Sequence, residues 1–154
     1  MKKNTGLSKF MSDISDYNIF ILRLLVGVVF LFHFGWNKVT GGPETWAWLG
    51  SNIGVAPVFF GFLATLFEFG GALLIVLGLF TRWGALAISL TLLVAIVTVH
   101  TGDIAAILGV ASSEGAGWGN FVPVFALFMV NLSLLFSGGG KKLNLERHIF
   151  GKEH

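Results

Sequence analysis

Four long apolar runs decide what this chain can become. Residues 17–37, 58–80, 83–101 and 121–136 are each close to the roughly 20 apolar residues that cross a bilayer. In lipid such a run has to be helical, because every backbone amide needs a partner inside the segment. Composition agrees: 55% of residues are hydrophobic and only 12% charged, with a mean hydropathy of +0.81. A soluble domain carries about 25% charged residues. The chain of 154 residues has little room for anything beyond four spans. The expected fold is therefore all-α: a transmembrane antiparallel four-helix bundle. It divides into an N-terminal tail at 1–16, the transmembrane domain at 17–137 and a basic tail at 138–154.

The charges orient it. Four spans put both termini on one side, together with Lys2, Lys3, Lys9, Arg82, Lys141, Lys142, Arg147 and Lys152, which is 8 of the 10 basic residues. The opposite loops carry Glu44, Asp103 and Glu114. The positive-inside rule makes the basic side cytoplasmic. The expected location is the bacterial inner membrane, with both termini cytoplasmic. The N-terminal lysines precede an apolar run that starts too late for a signal peptide. Leu7, Phe10, Met11 and Ile14 have amphipathic helical spacing, which suits a short helix along the surface. The basic tail suits anchoring to anionic lipid. A net charge of +2 gives no reason to expect a nucleic-acid partner.

The connections differ. The second and third runs are joined by Thr81-Arg82 alone, so these spans are antiparallel neighbours. The first outer loop holds Pro43 with Glu44 behind it, a helix-start pattern. It predicts a short outer interfacial helix over 43–49. The second outer loop opens with an apolar turn or two and continues as ASSEGAGWGN, flexible by composition. Trp36, Trp46, Trp48 and Trp118 fall at the outer side and Trp83 at the inner, as in an aromatic belt; some of the outer four can instead roof a ligand pocket.

The chain has no cysteine. That excludes disulfides, thiolate catalysis, CxxC redox pairs and thiolate metal sites. No strand-associated GxGxxG fingerprint is present either.

Ionisable and amide side chains within spans are costly and mark functional positions. They are Arg23 and His33 in the first run, Glu68 in the second, His100 at the end of the third with Asp103 just beyond, and Asn131 in the fourth. At about 100° per residue, Gly61, Ala64, Thr65, Gly71, Ala72 and Ile75 share a face with Glu68. Small residues let backbones approach, so Glu68 is expected to face protein. Arg23 is its expected partner in a buried charge pair. His100 shares a face with Ala85, Ser89, Ile96 and Asp103. His33 and His100 end parallel spans at similar depth. With Trp36, Lys38 and Trp46 they form the expected ligand site. Such a set suits a quinone head group, whose carbonyls need donors and whose reduction needs protons. Two other occupants of the histidines stay open: a bis-histidine haem, or a metal held with Asp103, with or without Glu68.

The first run reads LRLLVGVVFLFHFGWNKVTGG, the second FLATLFEFGGALLIVLGLFTRWGAL, and the third ends VAIVTVHTGD. The order and spacing of Arg23, His33, Lys38, Glu68, Arg82 and His100 in these segments resemble the DoxX family of small four-span bacterial membrane proteins. The resemblance runs over about residues 17–147. It implies a four-helix fold in the cytoplasmic membrane, and those six positions as functional or structural determinants without an assigned catalytic role. Relatives in that family are linked to quinone-coupled sulfur oxidation, to oxidase complexes and to resistance against quinones and oxidative stress. Without cysteine, thiol-based sulfur chemistry does not fit this chain. The expectation is a quinone-interacting membrane subunit, part of a redox or oxidative-stress complex, with quinone as its bound cofactor. Its partners would be the bilayer and other membrane or envelope proteins, or a second copy. The alternatives are a non-enzymatic scaffold or anchoring subunit of an envelope complex, and a small-molecule carrier.

Overall fold

A computed structural model of the chain describes residues 6–110 and 115–151, and the described residues are helical with no strand. Ser112 and Glu114 lie outside them, as do the side chains of Leu7 and Met11; Phe10 and Ile14 are exposed on the first helix.

Helix α1 (Gly6–Val28) runs without a stop into a π-helical stretch, Val29–Gly35, and then into α2 (Trp36–Gly50). The chain bends at Gly42, which has φ 61° and ψ −155°. A side chain rarely tolerates that conformation and glycine does. Pro43 follows with its φ preset for a new helical start. The short outer helix expected after Pro43 is thus present, running to Gly50.

Helix α3 (Pro57–Leu77) lies antiparallel along this whole first limb. With the end of the bundle that holds Gly27 and the C-terminal tail called inner and the opposite end outer, as labels only, Gly27 abuts Val76, Gly35 abuts Phe69, Gly61 abuts Trp46 and Gly50 abuts Pro57 in that order. The glycines are what let the backbones come so close. The pairing drifts as it proceeds: the first limb uses several more residues than α3 to cover the same length, and the π-helical turns and the Gly42 bend take up the surplus.

Gly78, at φ 65°, caps α3, with Leu79 donating back to the Leu74 carbonyl at 3.0 Å, the usual left-handed helix stop. Helix α4 (Thr81–Thr98) starts three residues later. The turn is therefore 78–80; Thr81 and Arg82, expected to form the link, already belong to the first turn of α4. The apolar Leu79 and Phe80 had hidden the turn inside the second run. Gly71 and Gly84 face each other where α3 and α4 approach closely. A short α5 (Thr101–Ile107) precedes α6 (Trp118–Ser137), which packs antiparallel on α4 and also touches α1. α7 (Leu145–Phe150) folds back under the inner end.

Four stretches are long and apolar enough to span a membrane: Tyr17–Ile53, Pro57–Leu77, Thr81–Thr98 and Trp118–Ser137. The small apolar core contains Val26, Phe30, Ala72, Ile75, Ala85, Ile88, Leu92 and Leu134. Large apolar side chains such as Phe32, Phe59, Val97 and Phe136 point outward, as lipid-facing residues should.

Candidate functional site

The polar groups sort into three places along the bundle, and the pairing differs from the one expected. Glu68 is buried on the face of α3 that holds Gly61, Thr65, Gly71, Ala72 and Ile75, the face its spacing predicts. Its partner is Lys38, whose Nζ donates to Glu68 Oε2. Arg23, the expected partner, is elsewhere. It lies fully buried near the inner end of the first span, where Nη1 donates to the Gly139 carbonyl at 2.8 Å and Nη2 to the Leu143 carbonyl at 2.5 Å. The Arg23–Glu68 pair is thus corrected to two separate arrangements. The reason is chain length: α3 runs from its outer end at Pro57 to its inner end at Leu77, so Glu68 sits near mid-depth, while Arg23 is level with Gly78. The carbonyls that Arg23 meets belong to the segment between α6 and α7, where a buried main-chain acceptor needs a donor from elsewhere.

Trp46 belongs with the Lys38–Glu68 pair. Its indole Nε1 donates to the Lys38 carbonyl at 2.9 Å, and its ring stands edge-on to Phe62 with centroids 5.1 Å apart. It is the only one of the five tryptophans that is not exposed; Trp36, Trp48, Trp83 and Trp118 point outward. An apolar groove of about 490 Å³ opens beside it, lined by Trp46, Ala56, Pro57, Val58, Phe59 and Phe62.

Further along the bundle, Gly139 after α6 meets Thr81 at the start of α4, and the Gly117 amide before α6 meets Asp103 of α5. Between these contacts Ser89 on α4 and Asn131 on α6 are both buried. Ser89 Oγ and Asn131 Oδ1 have no partner among the described residues, while Asn131 Nδ2 donates to the Leu127 carbonyl at 2.8 Å. Polar side chains away from the ends of the spans thus include buried Glu68, Ser89 and Asn131, with Lys38 half-buried beside Glu68.

His100 and Asp103 form the outer polar centre. His100 Nδ1 lies 2.7 Å from Asp103 Oδ2, while Asp103 Oδ1 accepts from the Gly117 amide at 2.9 Å and from Asn120 Nδ2 at 3.3 Å. These donors, the Gly117 amide first and His100 second, hold the Asp103 carboxyl below the ordinary carboxylate range. The dyad ties α5 to the start of α6.

His33 does not join this set. It is exposed, with its ring edge-on to Phe34 at 4.8 Å, and Trp36 beside it is exposed too. Counting at 100° per residue over-rotates His33, because the i→i+5 turns of a π-helix put more residues in each turn. Of the expected ligand set, Lys38 and Trp46 come together, whereas His33, Trp36 and His100 stand apart from them. Among the described residues no three His, Asp or Glu side chains cluster as a metal site would need.

The inner centre was not expected at all. Around Arg23, the tail carries Asn144, which caps α7 by accepting from the Arg147 amide at 3.2 Å, and buried Glu146, which accepts from the Phe80 amide at 2.9 Å. The Glu146 amide in turn donates to the Gly78 carbonyl at 3.0 Å. The sequence did carry a signal: Asn144 before LERHIF, whose second residue is Glu146, is a helix start with an acid in its first turn.

Four membrane-length helices, a lipid-facing apolar surface and polar side chains turned inward define a multi-pass membrane protein. The family model for DoxX matches residues 18–101, just over half of the chain. The chain belongs to the DoxX family. Comparison with curated proteins and with solved structures gives no match.

Proposed function

We propose that this DoxX protein is a membrane subunit that binds a quinone-type molecule dissolved in the bilayer and works with a redox partner. The observation that carries the reading is the Lys38–Glu68 ion pair at mid-depth, next to a tryptophan that lines an apolar groove. A charged pair in a membrane is expensive to keep, and the same groups are useful to a ligand. The Lys38 ammonium has three protons, and Glu68 takes one. The others can donate to a carbonyl oxygen of a ring that enters past Phe59 and Phe62. Glu68 holds Lys38 in place. The groove supplies the apolar wall that a hydrophobic ring and its tail require. Electrons have to come from a partner or a second bound group, since the chain has no cysteine. The distribution of basic residues supports an inner-membrane location with cytoplasmic termini.

The test is a titration of the reconstituted protein with a short-chain quinone, read by tryptophan fluorescence. Saturable quenching that falls sharply in Trp46→Phe is expected. Lys38→Met should weaken binding about tenfold or more, because a hydrogen bond from a charged donor contributes roughly 1.5–3 kcal/mol. His33→Ala and His100→Ala should leave it unchanged. A non-enzymatic scaffold would show no saturable quenching in any variant, and that outcome would reject the reading.

A further inference from the structure

Ser89 on α4 and Asn131 on α6 are buried polar residues that the Lys38–Glu68 site does not use. We propose that the two side chains bind one ordered water molecule between α4 and α6, and that this water fixes α6 on the bundle.

Three features support the site. The first is unmet hydrogen bonding. Ser89 is 4% exposed and Asn131 0%, and neither Ser89 Oγ nor Asn131 Oδ1 has a partner among the described residues. Both sit inside spans that are described from end to end. Asn131 Nδ2 donates to the Leu127 carbonyl at 2.8 Å, which leaves Oδ1 as a waiting acceptor. Thr65, Thr91, Thr98 and Ser137 each turn the hydroxyl back to a carbonyl of their own helix, as such residues commonly do. Ser89 does not, so its hydroxyl proton is available. A direct bond between the two side chains would satisfy both atoms, and neither has one; a bridging water does the same across a gap. The second is position. α6 packs antiparallel on α4, and Gly139 meets Thr81. Ser89 lies eight residues along α4 from that contact and Asn131 eight residues back from it. At 1.5 Å per residue each is about 12 Å in from the contact, so the two reach the same depth to within about a turn. Ala85, one turn from Ser89 on the same buried face, is small as well. The water accepts from the Ser89 hydroxyl and donates to Asn131 Oδ1, and its other hydrogen can meet the second lone pair of a helix carbonyl, which gives a buried water the partners it needs. The third is the state of α6. It is the least buried of the four spans, and Asn131 and Leu134 are its buried residues. With so little apolar contact, a polar link between helices decides how α6 is rotated on its neighbour.

The experiment uses the full chain in lipid bilayers and follows, by solid-state NMR, magnetisation passed from water to labelled asparagine side chains. Asn131 is assigned through its Val130–Asn131 neighbour pair, which occurs once in the chain. In the wild type the Asn131 carboxamide should receive water magnetisation despite its burial. In Ser89→Ala that transfer should be lost, while Thr91→Val, which removes a hydroxyl bonded to its own helix, should keep it. An Asn131 side chain that receives nothing from water in the wild type would overturn the site, and so would a transfer that survives Ser89→Ala. Thermal unfolding gives a second reading. Ser89→Ala and Asn131→Leu each leave the water one partner short and should each lower the melting temperature, and the double variant should recover part of the loss, since no polar group then needs the water. Losses that simply add would show that the two residues share no water and would reject the proposal.

Discussion

Lys38 reaches from α2 to Glu68 at the middle of α3, and this contact joins the two spans at the depth where a charge is most costly. Neither residue would be tolerated alone. Breaking a buried pair by removing one partner costs about 3–5 kcal/mol, because the other charge is left uncompensated. Lys38→Met and Glu68→Leu should each lower thermal stability in detergent by such an amount, and the double variant should recover much of it. Losses that simply add would show that the pair is not coupled.

Arg23 and Glu68, by contrast, should behave as independent sites. Arg23 holds the tail through two main-chain carbonyls, and a hydrogen bond from a charged donor contributes roughly 1.5–3 kcal/mol. Arg23→Ala should release the segment after Gly138, seen as faster protease cleavage within 138–151, with the spans intact. Arg23→Lys should restore part of the protection, since it retains the charge but can reach only one carbonyl well. A cycle combining Arg23→Ala with Glu68→Leu should be additive.

Much of this arrangement was legible from helical spacing, and the misses have physical causes. The buried face of α3 around Glu68 and the face of α4 holding Ala85, Ser89 and Ile96 follow directly from 3.6-residue periodicity, because both helices are regular. The first limb is not regular. Its π-helical turns shift every face beyond Val28, so His33 turns outward. The Lys38–Glu68 pair was hidden by a second effect. Lys38 stood at the end of the first apolar run, where a lysine usually extends to the head groups. Here the helix continues past Gly42 to Gly50, and that continuation keeps Lys38 alongside α3. Partners for Arg23 could not be read from the spans, since they are backbone carbonyls of the tail and leave no mark in side-chain patterns.

Asp103 sets the pH behaviour of the outer end. Its carboxyl is held below the ordinary range by the Gly117 amide, then by His100, with burial opposing. A carboxylate with a depressed folded-state pKa stabilises the fold fully above its unfolded value, about pH 4, and that contribution disappears as the pH falls through the lower folded value. The protection of the Gly117 amide, its exchange corrected for the intrinsic rate at each pH, should therefore be high at neutral pH and fall in acid. In Asp103→Asn that protection should be low at neutral pH and change little on acidification. Equal protection of Gly117 in both forms at neutral pH would show that Asp103 does not hold the loop.

Two glycines of α3 should respond in opposite directions to the same substitution. A Cβ on Gly61 would overlap the backbone of Trp46, which cannot retreat without moving the outer helix, whereas a Cβ on Gly70 meets nothing within 4 Å. Overpacking a close contact costs about 1–3 kcal/mol, while replacing glycine by alanine in an open helix position gains roughly 0.5–1 kcal/mol. Gly61→Ala should lower the melting temperature in detergent and, by shifting Trp46 off the Lys38 carbonyl, change the tryptophan emission. Gly70→Ala should raise the melting temperature slightly and leave the emission as it is. If Gly61→Ala were as benign as Gly70→Ala, the outer helix would not be packed against α3 at Trp46, and the groove beside it would lose its wall.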